Sequence, residues 1–293
     1  MNKVLFVLCE GPHDVAFLYR IFKVLGFNHY NKNIIDYPQP LNEYLKNEII
    51  QSHMNIDGCR IEDVNNALLP REVVCDDVLV LLYALGGDSR KDLRTKLITD
   101  LFAIYKTSFD EKQLRYTVNS QCSISYFFDA DNIGVDKRYI EINKELHDIL
   151  GANIELSVDK KCEDFCGIKF SAFIFSKEDD DKGKLEDILI PLMRHENNEV
   201  FDDAFEYVRK HYDVNRRYRL DIRFHEDGNI TEERGKNKGS FDETKSVIGV
   251  VGQLQNSGST NQVCIKHSDY ITFPKIMADK SCCRILEYFR ALL

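Results

Sequence analysis

Three acidic residues follow apolar segments of this chain, and their positions are typical of metal chemistry. Glu10 comes just after the apolar run at residues 4–8, and Asp129 and Asp131 lie near the end of "SISYFFDADN". Residues i and i+2 of a strand point to the same side, so the two aspartates can bind one ion or two adjacent ions. Converging carboxylates repel one another unless a cation neutralises them, and oxygen ligands favour Mg²⁺ or Mn²⁺ over zinc. The pattern predicts a divalent-metal site.

Strands and helices must carry these side chains to one place, and the sequence predicts both. Four apolar runs are predicted as strands, at residues 4–8, 78–82, 123–132 and 168–176, with helices between them, including 90–105 and 139–150. Asp14 is placed to cap the first helix and Gly26 to end it. Continuous apolar strands separated by helices are typical of a parallel sheet covered on both faces. The predicted fold is α/β with a parallel sheet of about four strands, beyond whose carboxyl ends ligands bind.

The rest of the chain is predicted to extend this core. Residues 1–195 form the core, and residues 196–293 form an α/β extension that packs on it. The core contains an insertion at 28–76, which is predicted to be helical at 42–54 and otherwise irregular. Residues 225–240 are polar and glycine-rich, and we predict a mobile loop there. The extension is further predicted to contain a helix at 242–254, a strand at 262–268 and a closing helix over the last fifteen or so residues.

Composition limits the classes of function. The 293 residues are 43% hydrophobic and 30% charged, with no apolar stretch of the ~20 residues that cross a bilayer, so we expect no membrane partner. Nine cysteines without a secretory segment favour reduced thiols in a cytoplasm. The net charge of −9 argues against a protein that coats nucleic acid by bulk charge. It leaves open an enzyme that binds RNA or DNA through a local basic patch or through metal ions.

Two further groups of residues are suited to bind phosphate. Gly86 and Gly87 end the second predicted strand, where a chain without side chains lets a phosphate approach the backbone. Arg216, Arg217 and Arg219 are the densest basic group after the core. Either contact with nucleic-acid phosphates or a solvated basic face explains the arginines.

The order of these motifs resembles the Toprim family, the metal-binding phosphoryl-transfer domain shared by topoisomerases, primases, recombination-repair proteins and OLD-type nucleases. The resemblance covers most of residues 3–190 and rests on Glu10-Gly11, with Asp14 completing "EGxxD", and on Asp129-Ala130-Asp131. It implies that Asp129 and Asp131 hold Mg²⁺ or Mn²⁺ and that Glu10 binds metal or acts as general base. It also implies that Glu186 of "GKLEDILIP" is a further ligand and that Lys280 neutralises charge on the reacting phosphate.

Departures from the family narrow the function that the resemblance implies. The sequence has no GxxxxGK[ST] loop, and it is too short for the additional domains of a topoisomerase or a primase. What remains is a stand-alone Toprim protein, for which we expect metal-dependent hydrolysis of nucleic-acid phosphodiester bonds, in phage defence and gated by a separate ATPase. The alternative is a non-catalytic Toprim module that binds a nucleotide or a protein partner.

Each site residue also has a purely structural alternative. Glu10 can cap the first helix, and Asp129 and Asp131 can solvate a loop. Glu186 can begin a helix, and Lys280 can be an exposed lysine at a helix start. The sequence leaves these alternatives open.

Overall fold

The computed structural model describes residues 3–50, 58–64, 66–87, 90–106, 121–236 and 240–293. Asp88 and Ser89, which end the "LGGDS" segment, lie outside the described residues. The strands are β1 (Lys3–Cys9), β2 (Asn28–His29), β3 (Glu72–Cys75), β4 (Val78–Ala84), β5 (Gln121–Asp129), β6 (Cys162–Phe165), β7 (Ile168–Phe175), β8 (Tyr218–Phe224) and β9 (Ile230–Lys236). The helices are α1 (Pro12–Val24), α2 (Leu41–Ile50), α3 (Lys91–Tyr105), α4 (Val135–Leu150), α5 (Leu185–Arg194), α6 (Asn198–His211), α7 (Glu243–Gln255), α8 (Asn261–His267), α9 (Phe273–Ala278) and α10 (Lys280–Leu292). None of these described helices is long and apolar enough to cross a membrane.

A seven-stranded sheet forms the centre of the fold, in the order β2-β3-β4-β1-β5-β7-β6. The four strands predicted from the sequence are its middle, β4-β1-β5-β7, and their contacts are all parallel. The prediction of an α/β fold is confirmed, but the prediction of about four strands is wrong. β2, β3 and β6 have at most four residues each and pair antiparallel at the edges, and runs this short carry too little pattern to be recognised. The helix predicted at 42–54 is confirmed as α2 up to Ile50, and residues 51–57 lie outside the described residues. The sequence did not predict that β2 and β3, also within residues 28–76, form an edge of the sheet.

Helices cover both faces of the sheet, because alternate residues of a strand point to opposite faces. Leu5, Val7 and Cys9 of β1 belong to one buried apolar cluster, with residues of α1, α5 and the helices after residue 196. Val4, Phe6 and Leu8 belong to a second cluster, with residues of α2, α3 and α4. The carboxyl ends of β1 and β5 therefore emerge between two helical layers, and these ends carry the predicted acidic residues.

Two predictions for the C-terminal region are wrong. Residues 262–268, predicted as a strand, form α8, whose Cys264 and Ile265 are buried in the first cluster. A short apolar run fits either state, and here this packing and the hydrogen bonds from Arg20 to the carbonyls of Ile265 and Ser268 stabilise the helix. The loop predicted at 225–240 contains β9, which pairs with β8 across the turn at Asp227-Gly228. The basic segment before that turn is therefore one strand of an exposed hairpin.

Candidate functional site

The site lies where the order of the parallel strands reverses. β1 pairs with β4 on one side and with β5 on the other, and Cys9 lies opposite both Ala84 and Phe127. In an open α/β sheet, ligands bind in the crevice beyond the carboxyl ends of the strands at this switch point. Glu10 directly follows β1, and Asp129 is the last residue of β5. The structure thus brings Glu10 and Asp129 together at one edge of the sheet.

Backbone hydrogen bonds hold both carboxylates in place. The amide of Asp129 donates to Glu10 Oε1 at 3.0 Å, and the amide of Leu185 donates to Asp129 Oδ1 at 2.8 Å. Leu185 is the first residue of α5, so the positive end of that helix dipole faces Asp129. Each bond uses one oxygen of its carboxylate, which leaves the other oxygen of each for a ligand.

Asp14 joins these two residues from the first turn of α1. Its Oδ2 accepts a hydrogen bond from the amide of Gly11 at 2.5 Å, so it stabilises the helix start from inside the helix, while Gly11 is the N-cap. Asp14 is buried, and its charge repels those of Glu10 and Glu186. The sequence pattern predicts Asp14 as a helix cap and as part of the Toprim-like motif, and the structure adds it to the acidic cluster formed by Glu10, Asp14 and Asp129.

Electrostatics of the acidic cluster favour the binding of a cation. Burial first, and then repulsion among the carboxylates, raise the pKa of Asp14 to about 8 and the pKa of Asp129 to about 9. Burial also raises the pKa of Glu10. Buried carboxylates that repel one another bind protons tightly, because the positive charges nearby do not neutralise their negative charge fully. A divalent cation would replace those protons and relieve the repulsion.

Asp131 has a different environment from Asp129. β5 ends at Asp129, and Asp131 has a left-handed backbone (φ 48°) and exchanges backbone hydrogen bonds with Gly183. The expectation that the two aspartates point to one side of a strand is therefore wrong, since Asp131 lies beyond the strand. Its carboxylate is 52% exposed and accepts a hydrogen bond from Arg138 Nη2 at 2.7 Å. Asp131 thus lies at the rim of the site with its charge already paired.

Glu186 is buried at the start of α5 and is surrounded by cations. Its Oε1 lies 3.2 Å from His13 Nδ1 and 3.5 Å from Lys245 Nζ, and its Oε2 lies 4.0 Å from Lys184 Nζ. Burial raises the pKa of Glu186, but the hydrogen bond from His13 and the two lysines outweigh it and hold that pKa below its usual range. Glu186 is therefore an anion in a satisfied network and is less suited than Glu10 or Asp129 to act as a metal ligand.

Lys245 is the functional candidate that sequence reasoning missed. It lies in the first turn of α7, and its amide donates to the N-cap residue Asp242 at 3.0 Å. An ion pair between Lys184 and Asp242 ties the start of α7 to the segment before α5, which brings Lys245 to Glu186. Nothing local in "DETKSVIG" indicates this contact, because residues 186 and 245 meet only through tertiary packing.

Gly86 and Gly87 were predicted to let a phosphate approach the backbone. At Gly86 the close neighbour is the backbone of Glu10. The amide of Gly86 donates to the carbonyl of Glu10 at 3.1 Å, and a Cβ built on Gly86 would lie 1.8 Å from Glu10 Cα. Gly87 has a left-handed backbone (φ 78°). Buried Arg94 donates to the carbonyls of Leu85 and Gly87, at 2.7 and 2.9 Å, and so fixes the loop. At Gly86, therefore, the backbone of Glu10 occupies the space in which a phosphate was predicted to approach.

The predicted basic residues are divided between a groove that Lys245 also lines and exposed ion pairs. Arg216 and Arg217 line an open groove with Lys245. Arg219 lies on β8 and pairs with Asp221 at 3.2 Å. Lys280 is 81% exposed at the start of α10, and its Nζ lies 2.6 Å from Glu178. The structure thus joins two of the arginines to Lys245 and gives Lys280 an exposed ion pair.

The carboxylates of the acidic cluster are suitable ligands for a hard divalent cation, but they are not arranged to coordinate one in this structure. Across the described ranges of the chain, no three Asp, Glu, His or Cys side chains form a set that could hold a metal ion as they stand. Glu10, Asp14 and Asp129 are nevertheless crowded carboxylates, the ligand type that Mg²⁺ and Mn²⁺ prefer. Binding would require these side chains to move toward the ion.

No protein-family model, curated protein or solved structure matches this chain. The fold and the site define a class on their own: an α/β protein with a mostly parallel central sheet, helices on both faces and an acidic cluster at the switch point of the sheet.

Proposed function

We propose that this chain is a divalent-metal-dependent nuclease of the Toprim type that hydrolyses phosphodiester bonds. The observation that supports it is the acidic cluster of Glu10, Asp14 and Asp129 at the sheet's switch point, with raised carboxyl pKa values and with Lys245 close by at Glu186. Buried anions without full compensation cost stability, and sites that bind cations and phosphates have this property.

Glu10 and Asp129 would hold the metal ion, with Asp14 adding negative charge beside them and Asp131 reaching in from the rim. Bound there, Mg²⁺ or Mn²⁺ would stabilise charge that develops on the phosphate and activate a water. Glu186 keeps its network and serves as a positioning residue for His13 and Lys245. We assign Glu186 this role in place of the metal ligation implied by the family resemblance.

Two basic side chains would act on the substrate. Lys245, whose charge acts on Asp14 and Asp129, would bind a non-bridging oxygen of a phosphate held at the acidic cluster. His13, whose Nδ1 lies 3.2 Å from Glu186 Oε1, would offer its other ring nitrogen as a hydrogen-bonding group to the substrate. Gating of this activity by a separate ATPase in antiviral defence belongs to the same proposal and is supported by the Toprim resemblance of the sequence alone.

A second candidate is a non-catalytic module that binds a nucleotide or a protein partner. One observation favours it: in the part of the chain that the structure describes, no set of three ligands is ready for a metal ion. Such a module would use the same crevice for a bound phosphate and would turn over nothing.

Incubation of the purified chain with labelled single-stranded and duplex RNA and DNA, in Mg²⁺, Mn²⁺ or EDTA, separates the two candidates. The nuclease proposal expects cleavage that EDTA abolishes and that Asp129→Asn removes. Asp159→Asn, an exposed carboxylate in the loop after α4, is the matched control and should cleave normally. Binding of nucleotide without cleavage of any substrate would favour the module, and cleavage that survives in Asp129→Asn would refute the assigned site.

A further inference from the structure

An open groove of about 600 Å³ lies beside the first turn of α7, which carries Lys245. It lies between the end of α6, the turn before β8 and the start of α7, and Tyr212, Arg216, Arg217, Phe241 and Lys245 line it. The turn is held by Asp213, whose carboxylate accepts a hydrogen bond from the amide of Asn215 at 2.8 Å. Three cations and two carboxylates therefore line the groove; the carboxylate of Asp213 holds the turn, and that of Asp242 is paired with Lys184.

Lys245 connects this groove to the candidate catalytic residues. Its Nζ lies 3.5 Å from Glu186 Oε1, and the first turn of α7 that carries it also forms one wall of the groove. A chain of phosphates that follows Arg216 and Arg217 would also meet Lys245, which lines the same groove. Lys245 is thus shared: it lines the groove, and its charge acts on Asp14 and Asp129 of the acidic cluster.

The same groove contains an aromatic pair. The rings of Tyr212 and Phe241 stack with centroids 3.8 Å apart and planes 18° from parallel. Their residues are 38% and 37% exposed, so the stack is open to a ligand. Stacked rings beside arginines bind unpaired bases, because every base has a flat face and the cations hold the backbone. Bases inside a duplex are already stacked and paired, and cannot reach these rings.

We infer that this groove binds single-stranded nucleic acid, with bases against Tyr212 and Phe241 and the backbone along Arg216, Arg217 and Lys245. This inference rests on the proposed function, because it takes the bound strand to be the substrate of the nuclease. It identifies that substrate as single-stranded nucleic acid. A protein with a net charge of −9 repels a polyanion over most of its surface, so this local cationic groove also decides where the strand binds.

Binding of a fluorescent single strand of about 12 nucleotides, within the range of known single-strand sites, tests the inference on the full chain in EDTA. We expect the single strand to bind at least about 10-fold more tightly than the same sequence as a duplex, since stacking contributes about that much per base. Phe241→Leu should weaken the single strand about 10-fold and leave the duplex unchanged. Replacing Arg216 and Arg217 with Ala should lower the slope of log K against log salt by about 0.7 for each lost contact.

Arg219→Ala is the matched control, because Arg219 lies on β8 in an ion pair with Asp221. Thermal melts check that every variant is folded. Equal binding of single strand and duplex, or normal binding by Phe241→Leu, would overturn the inference. If the groove variants lose single-strand binding and the wild type cleaves no substrate, single-strand binding in the groove is supported and the nuclease proposal is rejected. If the double variant of Arg216 and Arg217 cleaves normally at low substrate concentration, the nuclease is supported and the groove is rejected as its binding site.

Discussion

The carboxylate of Glu10 accepts a hydrogen bond from the backbone amide of Asp129, at 3.0 Å, although 119 positions separate the two residues. This bond joins the ends of the neighbouring parallel strands β1 and β5. It also gives Glu10 two separable roles, as a hydrogen-bond acceptor and as a negative charge.

Substitutions at Glu10 can separate these roles. Glu10→Gln keeps an acceptor for the amide of Asp129 and removes the charge, so we expect a normal melting temperature and a loss of metal-dependent cleavage of at least about 100-fold. Glu10→Ala also leaves that amide without its acceptor, which should cost about 1–3 kcal/mol of unfolding free energy. Equal stability of the two variants in urea unfolding would show that the bond contributes little.

The raised pKa of Asp129 predicts a stability that falls as pH rises. In the folded chain this carboxyl holds its proton up to about pH 9, whereas the unfolded chain loses it near the ordinary value of 3.8. The folded state therefore binds more protons between these values, and raising the pH destabilises it. Asp129→Asn, which keeps an acceptor for Leu185, should be at least as stable as the wild type in EDTA, by a margin that grows from about pH 5 to about pH 8. Thermal melts across this range check it, and a constant margin would contradict it.

The glycine at position 86 is required by its contact with Glu10. A Cβ there would lie 1.8 Å from Glu10 Cα, so Gly86→Ala must displace β1 or β4 at the site. We expect a loss of about 3 kcal/mol or more in unfolding free energy, the upper range for overpacking in a core. Gly26→Ala is the matched control, because its backbone is left-handed (φ 94°) but a Cβ would meet nothing within 4 Å. It should cost about 1–2 kcal/mol through backbone strain alone.

Arg94 and Glu145 form a buried ion pair that supports the loop at Gly86. Arg94 Nη2 lies 2.7 Å from Glu145 Oε2, and both residues are almost fully buried. Arg94→Met would leave Glu145 charged and unpaired, which should cost about 3–5 kcal/mol in urea unfolding. The double variant with Glu145→Leu should recover most of this loss. If the double variant is as unstable as Arg94→Met, the bonds from Arg94 to the loop carbonyls are the dominant contribution.

Lys245 and Lys280 offer a test of which lysine serves the reaction. Lys245→Met should lower cleavage at saturating substrate about 100-fold, as removal of one charge-stabilising donor typically does. Lys280→Met removes an exposed ion pair with Glu178 and should leave both cleavage and stability within error. The opposite result would return Lys280 to the role that the family resemblance implies.

The central strands and the meeting of Glu10 with Asp129 could be predicted, because strands buried on both faces are continuous apolar runs and parallel strands end at one edge. Asp131 could not be placed correctly, since the sequence does not show that β5 ends two residues earlier. The edge strands β3 and β6 gave no signal because each has four residues. Lys245 depends on the packing of α7 near α5, a long-range contact that no local pattern records.

The ion pair between Lys184 and Asp242 has a consequence for the chain as a whole. The residues of the acidic cluster all precede residue 195, whereas Lys245 and the groove come after it. An amino-terminal fragment that ends near this point would carry the anions without the lysine that the C-terminal third brings to them. Lys245 therefore meets Glu186 only when the helices after residue 196 pack against β1 and α1 in the first buried cluster.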